Sequence, residues 1–154
     1  SQRKIFSLDE LIGELAEDYR PVAESKQIAL TVDSQKKNWH VKSDRQMLKR
    51  VLDNIVSNAI KYSPQGRKVN LKLEEKNASY WISVSDQGPG ILPEDRDKLF
   101  QKFQKLSAKP TGGESSTGLG LSIVRAHAAQ LGAKIDVESE VGKGSTFAVK
   151  LPMG

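Results

Sequence analysis

Four polar residues at helical spacing are the first chemistry this sequence offers. Between residues 44 and 61, a turn of ~100° per residue gathers Leu48, Val51, Leu52, Ile55, Val56 and Ala59 on one side of a helix, and Arg50, Asn54, Asn58 and Lys61 on the other. A polar helix face is usually just solvated, but Asn is a poor helix former in mid-helix, where Lys or Glu would serve better. Two of them one turn apart ask for another reason, such as amide oxygens for a hard cation beside a lysine for phosphate. A second feature is Asp86-Gln87-Gly88-Pro89-Gly90, which follows a strand-like stretch. Its glycines let backbone approach a ligand, and its carboxylate can accept from the amino group of a base. A third is Ser116-Thr117-Gly118-Leu119-Gly120-Leu121, a flexible loop running into a helix start, where free N–H groups and the positive dipole end suit phosphate. Taken singly, an ordinary turn or loop accounts for either glycine stretch.

Other site chemistries fail on spacing or composition. Lys143 is followed by Gly144 rather than Ser or Thr, so no phosphate-binding Walker loop is present, and Ile123 stands where a dinucleotide fingerprint needs its third glycine. His40 and His127 lack metal-ligand spacing and read as structural or surface residues, and Trp39 and Trp81 as core and strand residues. Cysteine is absent, which excludes disulfides and Cys-based zinc sites and fits a reducing, cytoplasmic setting. The net charge of +5 comes from bases interleaved with acids. The exception is residues 96–110, where Arg96, Lys98, Lys102, Lys105 and Lys109 face only Asp97. With aromatic interleaving limited to Phe100 and Phe103 within an apolar pattern, this suits a small polyanion better than nucleic acid. No apolar run is long enough to span a membrane, so direct membrane contact by this domain is not expected.

The elements that must position these groups follow from periodicity. Leu8, Leu11, Ile12 and Leu15 predict a helix over 8–26, and alternation predicts a strand over 28–32. Ser43 with Gln46 three positions on has the form of a capping box, opening a helix that runs to Ser63-Pro64-Gln65-Gly66. Residues 67–75 and 79–86 read as a hairpin turning at Lys76-Asn77-Ala78, followed by a short helix near 93–99. A third long helix carries Leu121, Val124, Ala128 and Leu131 and stops at Gly132, and two strands at 134–139 and 145–151 flank the turn at Gly142-Lys143-Gly144. The chain is the size of one domain. The expected class is α+β, a two-layer α/β sandwich with a mixed, largely antiparallel sheet covered on one face by three helices.

In order, Asp44 to Ser63, with Asn54, Asn58, Lys61 and Tyr62, and then Asp86-Gln87-Gly88-Pro89-Gly90-Ile91 resemble the N and G1 boxes of bacterial sensor histidine kinases. Leu99-Phe100-Gln101-Lys102-Phe103 resembles the F box, Gly118-Leu119-Gly120-Leu121-Ser122-Ile123-Val124 the G2 box, and Gly142 to Phe147 the last glycine box. Five weak motifs in the family's order and spacing, over about residues 8 to 152, make a specific one. The resemblance implies the Bergerat ATP-binding fold of the gyrase, Hsp90, histidine kinase and MutL group, with residues 1–7 the end of a linker and 8–154 the catalytic ATP-binding domain.

It also implies roles. Asn54 would ligate Mg²⁺, Asn58 would touch phosphate or Mg²⁺, Lys61 would meet phosphate, and Tyr62 would flank the adenine. Asp86 would accept the adenine amino group, with Gly88, Gly90 and Ile91 shaping the base pocket and Phe103 and Thr146 belonging to the site. Thr117, Gly118, Leu119 and Gly120 would hold phosphates, residues about 104–117 would form an ATP lid, and Lys105 would stand near the γ-phosphate. In place of the family's usual acid, Gln or His one turn before Asn54 stands Arg50, which cannot act as a general base; Gln101 replaces an F-box acid, and Leu131-Gly132-Ala133 replaces paired glycines. A phosphoacceptor motif is missing. The implied function is transfer of the ATP γ-phosphate to a histidine on a separate dimerisation domain of the same longer protein, with a response regulator downstream and membrane anchoring of that protein left open. The alternatives are a self-contained superfamily ATPase, which Arg50 argues against, and a degenerate kinase that acts as an ATP-binding regulatory module.

Overall fold

A computed structural model of the chain describes residues 2–35, 37–96, 98, 99 and 120–153. Strand β1 (Lys4–Ser7) leads into helix α1 (Leu8–Ser25), strands β2 (Ala29–Ser34) and β3 (His40–Ser43), and helix α2 (Arg45–Tyr62). Strands β4 (Lys68–Lys76) and β5 (Ser79–Asp86) follow, then the single turn α3 (Pro93–Arg96), helix α4 (Gly120–Gln130) and strands β6 (Lys134–Glu140) and β7 (Gly144–Pro152). The main sheet has the order β2-β4-β5-β7-β6. Its β2–β4 pair is parallel and the other pairs are antiparallel, so the expected mixed, largely antiparallel sheet is present.

Alternation fixes which face of the sheet is covered. Cross-strand rows such as Leu73–Ile82–Val149 and Leu71–Val84–Phe147 point to one side, where α1, α2 and α4 pack with α2 in the middle. Of the residues that make up the apolar stripe of α2, Leu48, Val51, Leu52, Ile55, Val56 and Ala59 are all buried, joined by Ile60. The other sheet face is polar. There Trp81 lies under two cations, Lys76 at 4.5 Å and Lys150 at 5.5 Å from the ring centroid, whereas on the covered face Trp39 packs against Tyr80 of the core at 5.5 Å. Between β4 and β5, Asn77 and Ala78 both take positive φ, 53° and 59°, as a two-residue hairpin turn of the right twist demands.

Two features depart from the sequence reading. Strands β1 and β3 pair antiparallel in a small second sheet, from Lys4↔Ser43 to Ser7↔His40, which the sequence pattern did not signal because four-residue strands carry too little period. The capping box at Ser43 and Gln46 is also not the one used. Ser43 is held in β3 and buried, and the cap is its neighbour Asp44, whose Oδ1 accepts from Met47 N at 3.1 Å while Oδ2 accepts from Gln2 N at 3.2 Å. Those backbone N–H groups, that of Met47 foremost, hold the Asp44 carboxyl below its ordinary range. The small sheet therefore launches both long helices, since Ser7, at the other end of the pairing, caps α1 by accepting from Glu10 N at 3.2 Å.

The far end of α2 is closed from outside the helix. Lys26, buried just past α1, donates from Nζ to Ile60 O at 2.7 Å and Lys61 O at 2.8 Å, two of the last-turn carbonyls that have no partner within the helix. Replacing Lys26 by Met keeps the length of the stem and strands both acceptors. Lys26→Met is expected to lower stability by ~1.5–3 kcal/mol, the scale of hydrogen bonds to a charged group. A urea midpoint unchanged from wild type would show that the ammonium contributes nothing to holding the helix end.

Candidate active site

The C-terminal half of α2, the end of β5 and the turn between β6 and β7 converge on a cavity of ≈ 260 Å³. Its wall is largely apolar, with Ala59, Pro89, Ile91, Leu92, Leu121, Val141 and Phe147, and its polar members include Asn58, Tyr62, Asp86, Asp95 and Ser145. An apolar slot with a few convergent polar groups is the usual form of a site for a flat organic ligand.

Asp86 is the last residue of β5, and its carboxylate is fixed by one oxygen. Oδ1 accepts from Gly88 N at 2.9 Å and from Ser145 N at 3.2 Å, whereas Oδ2 makes no hydrogen bond among the described residues. Burial pushes the Asp86 carboxyl above its ordinary value, and the two N–H groups offset part of that shift. The result is a half-buried carboxylate whose second oxygen remains an acceptor against a largely apolar wall, suited to an amino group on a ring.

Two glycines make that geometry possible by close backbone approach. Gly90 has φ +78° and a side chain there would run into the backbone of Glu140 and Val141; Gly144 has φ +134° and its Cβ would run into the Asp86 carbonyl. The neighbouring loops are then pinned by Gly142 N donating to Pro89 O at 2.8 Å and Ile91 N donating to Ser139 Oγ at 2.7 Å. Ser139 Oγ also lies 2.9 Å from Ser145 Oγ, and Arg96 Nη2 donates to Ser139 O at 3.0 Å.

Of the residues singled out from the sequence, Asn58, Tyr62, Asp86, Gly90 and Ile91 lie on the cavity wall. Gly88 sets the Asp86 carboxylate through its N–H without lining the cavity, and Thr146 bonds instead to Ser85, Oγ1 to Oγ at 2.8 Å. Asn54 and Lys61 also lie off the wall, on α2; Asn54 Nδ2 donates to Arg50 O at 3.1 Å, which leaves its Oδ1 free to ligate. Gly120 begins α4, with Leu121 on the wall next to it. Phe103, Lys105, Thr117, Gly118, Leu119, the F box beyond Leu99 and the segment expected to form a lid lie outside the described residues. The sequence reading missed Ser145, Phe147 and Val141 as wall residues. Their signal was the glycine turn beside them, whose role emerges only when β7 pairs with β5, bringing Ser145 opposite Asp86.

The donor set also decides what kind of metal ion would fit. No group of three or more His, Cys, Asp or Glu is placed to hold a metal among the described residues, which excludes there a cage made of protein side chains of those types. A single amide oxygen at Asn54 fits an ion that keeps most of its ligands as water and phosphate, the habit of Mg²⁺.

Residues 43–154 match the family model described as histidine kinase-, DNA gyrase B- and HSP90-like ATPase. The sensor-like histidine kinase SenX3 of Mycobacterium tuberculosis is 37% identical over 148 residues, covering 94% of this chain and 35% of that protein. The chain thus spans about a third of the length of this curated relative. The nucleotide-free catalytic domain of the histidine kinase ThkA superposes with a TM-score of 0.86 at 27% identity, covering 99% of this chain and 97% of that one. Full-length ShkA in complex with AMPPNP gives 0.86 at 27% identity, covering 99% and 31%. The ThkA complex with the response regulator TrrA gives 0.82 at 27%, covering 99% and 42%. Among the described residues no helix is long and apolar enough to cross a membrane. With a family match over most of its length, and the sandwich and carboxylate-floored slot described above, this chain belongs to the histidine kinase-, DNA gyrase B- and HSP90-like ATPase family, and its structure is that of a histidine kinase catalytic domain.

Proposed function

We propose that this domain binds Mg·ATP and transfers its γ-phosphate to a histidine on a separate dimerisation domain of the same longer protein, from which a response regulator then receives it. The observation that carries the reading is the Asp86 carboxylate, half-buried at the cavity, tied through Oδ1 and, among the described residues, open at Oδ2. Oδ2 would take the adenine amino group, and of the other wall residues Tyr62 and Ile91 would flank the ring and Asn58 would stand at the start of the phosphates. Asn54 would offer its Oδ1 to Mg²⁺, which when bound neutralises phosphate charge. Lys61, one turn along from Asn58, would add a cation for phosphate, as would Lys105, and the Gly118–Gly120 stretch its N–H groups. Such a domain works by positioning, and a cytoplasmic setting supplies its ATP.

The same site read as a self-contained ATPase meets a chemical obstacle. Hydrolysis needs a water deprotonated near the γ-phosphate, a general base typically contributes 10²–10⁴-fold, and Arg50 occupies the place of a base with a permanently protonated guanidinium. A neutral imidazole nitrogen is already nucleophilic, so transfer to histidine asks less of the domain.

Three measurements test this reading. In Asp86→Asn the side-chain oxygen can still accept from Gly88 and Ser145, but an N–H₂ then faces the base, so adenosine nucleotides should lose ~1.5–3 kcal/mol of binding and their advantage over guanosine ones in calorimetry. Stability should move the other way. Because the folded pKa of Asp86 is raised, the folded state holds more protons than the unfolded chain as pH climbs from the ordinary carboxylate value to the folded one, and stability falls across that window. The Asn variant does not titrate there, so at neutral pH it should melt at the same temperature or higher. An unchanged base preference would remove Asp86 from the site.

For the metal, Mg²⁺ should tighten ATP binding in wild type and cease to do so in Asn54→Ala, whereas Asn54→Asp keeps an oxygen ligand and retains the effect. Equal Mg²⁺ dependence in wild type and the Ala variant would reduce this helix face to a solvated one. For the reaction, the unmodified domain alone should turn over ATP negligibly yet label a supplied cognate dimerisation domain with radioactive phosphate. Robust hydrolysis by the domain alone would favour the ATPase, and binding without transfer to a verified acceptor would favour an ATP-binding regulatory module.

A further inference from the structure

Arg50 is an exposed cation with nothing to neutralise it among the described residues. Its guanidinium makes no hydrogen bond or ion pair with them. The acid three residues on, Asp53, stands at helical pairing distance but is engaged by Lys49 at 3.3 Å, and Lys49 in turn reaches Asp18 at 3.1 Å. Local structure therefore consumes the available carboxylate on a different lysine and leaves Arg50 unpaired among the described residues. Its backbone is tied into the site all the same, since Arg50 O accepts from Asn54 Nδ2.

Its position on α2 gives the charge a direction. Asn58 and Tyr62 lie on the cavity wall, and Asn54 and Arg50 continue the same face away from it one turn at a time. Arg50 stands about 12 Å along the axis from Asn58, eight residues at 1.5 Å each. A ligand with its base against Asp86 and an anionic tail leaving along this face meets amides first and a guanidinium last. Arginine's fork matches phosphate oxygens in pairs, and an unpaired guanidinium gives up no existing partner to do so.

We infer that Arg50 is a specificity residue for the terminal phosphate, distinguishing a nucleoside triphosphate from a diphosphate. The inference rests on the ATP reading above and adds a role for a residue that the reaction itself leaves without one as a base. Unlike Asp86, which reads the base of any adenine nucleotide, Arg50 acts only on a ligand long enough to reach it.

The test is the ratio of AMPPNP to ADP affinity, measured by calorimetry in Mg²⁺ at low and high salt, for wild type, Arg50→Gln and Arg50→Lys. Because the side chain is exposed, both variants should fold, which circular dichroism checks. In Arg50→Gln the ratio should fall about three- to tenfold while ADP affinity holds within about twofold, and Arg50→Lys, which keeps the charge without the fork, should lie between. High salt should shrink the wild-type ratio and leave that of Arg50→Gln nearly unmoved. A ratio equal in wild type and Arg50→Gln overturns the inference while leaving the ATP reading intact, since ADP still binds. The same holds if labelling of an acceptor domain drops with the ratio unchanged, which would assign Arg50 to acceptor docking. Failure of wild type to bind either nucleotide overturns both.

Discussion

A carboxylate placed against an apolar slot has to be desolvated and still remain ionised, and the architecture around the site serves that requirement. Asp86 meets it by spending one oxygen on two backbone N–H groups, from Gly88 two residues on and from Ser145 in the adjoining strand. Burial still raises its pKa, so the bonds offset the desolvation only in part. A polar group held this way is a local cost to the fold, of the kind expected where binding rather than stability sets the residue. The glycines follow from the same constraint. Backbone must come close enough to bond a side chain that has no room to move, and at Gly90 and Gly144 any Cβ would collide with the opposing chain.

The second requirement is a helix that faces two ways. One side of α2 belongs to the core, from Leu48 to Ile60, and the other carries the polar Arg50, Asn54 and Asn58, the last of them on the cavity wall. A helix anchored by apolar contact on one side is free to use residues of poor helix propensity on the other, because packing rather than propensity holds it. Its ends are fixed by groups from elsewhere in the chain. Asp44 closes the N-terminus while also taking Gln2 N, and Lys26 closes the C-terminus from beyond α1. The last turn, which presents Lys61 and Tyr62, is thus held by a side chain that never approaches the cavity.

Charge is distributed with the same economy around α2. Lys49 bridges Asp18 and Asp53 and Arg45 pairs with Glu14, so two acids of α1, Glu14 and Asp18, are held by cations of α2. These partly exposed pairs each contribute little to stability. Their larger consequence is which cations they leave over, and among the described residues Arg50, on the polar side of α2, is left over.

The sequence alone determined what short-range physics controls. The period of α2 separated core from polar face, alternation gave the hairpin of β4 and β5, and the order of the glycine motifs identified the family and pointed to Asp86. Each of these is written within a window of some twenty residues, as a repeat that burial must respect. What only the tertiary structure decided lies in contacts between distant segments. Ser145 reaches Asp86 because β5 and β7 pair in one register, and Lys26 caps α2 because the α1 loop folds beneath it; neither residue carries a local signature of its role. The cap moved from Ser43 to Asp44 because β1 claims Ser43 as a strand partner, a competition that a capping pattern read in isolation does not contain. Local sequence sets which residues can be buried or bonded, and the pairing of remote strands sets with what.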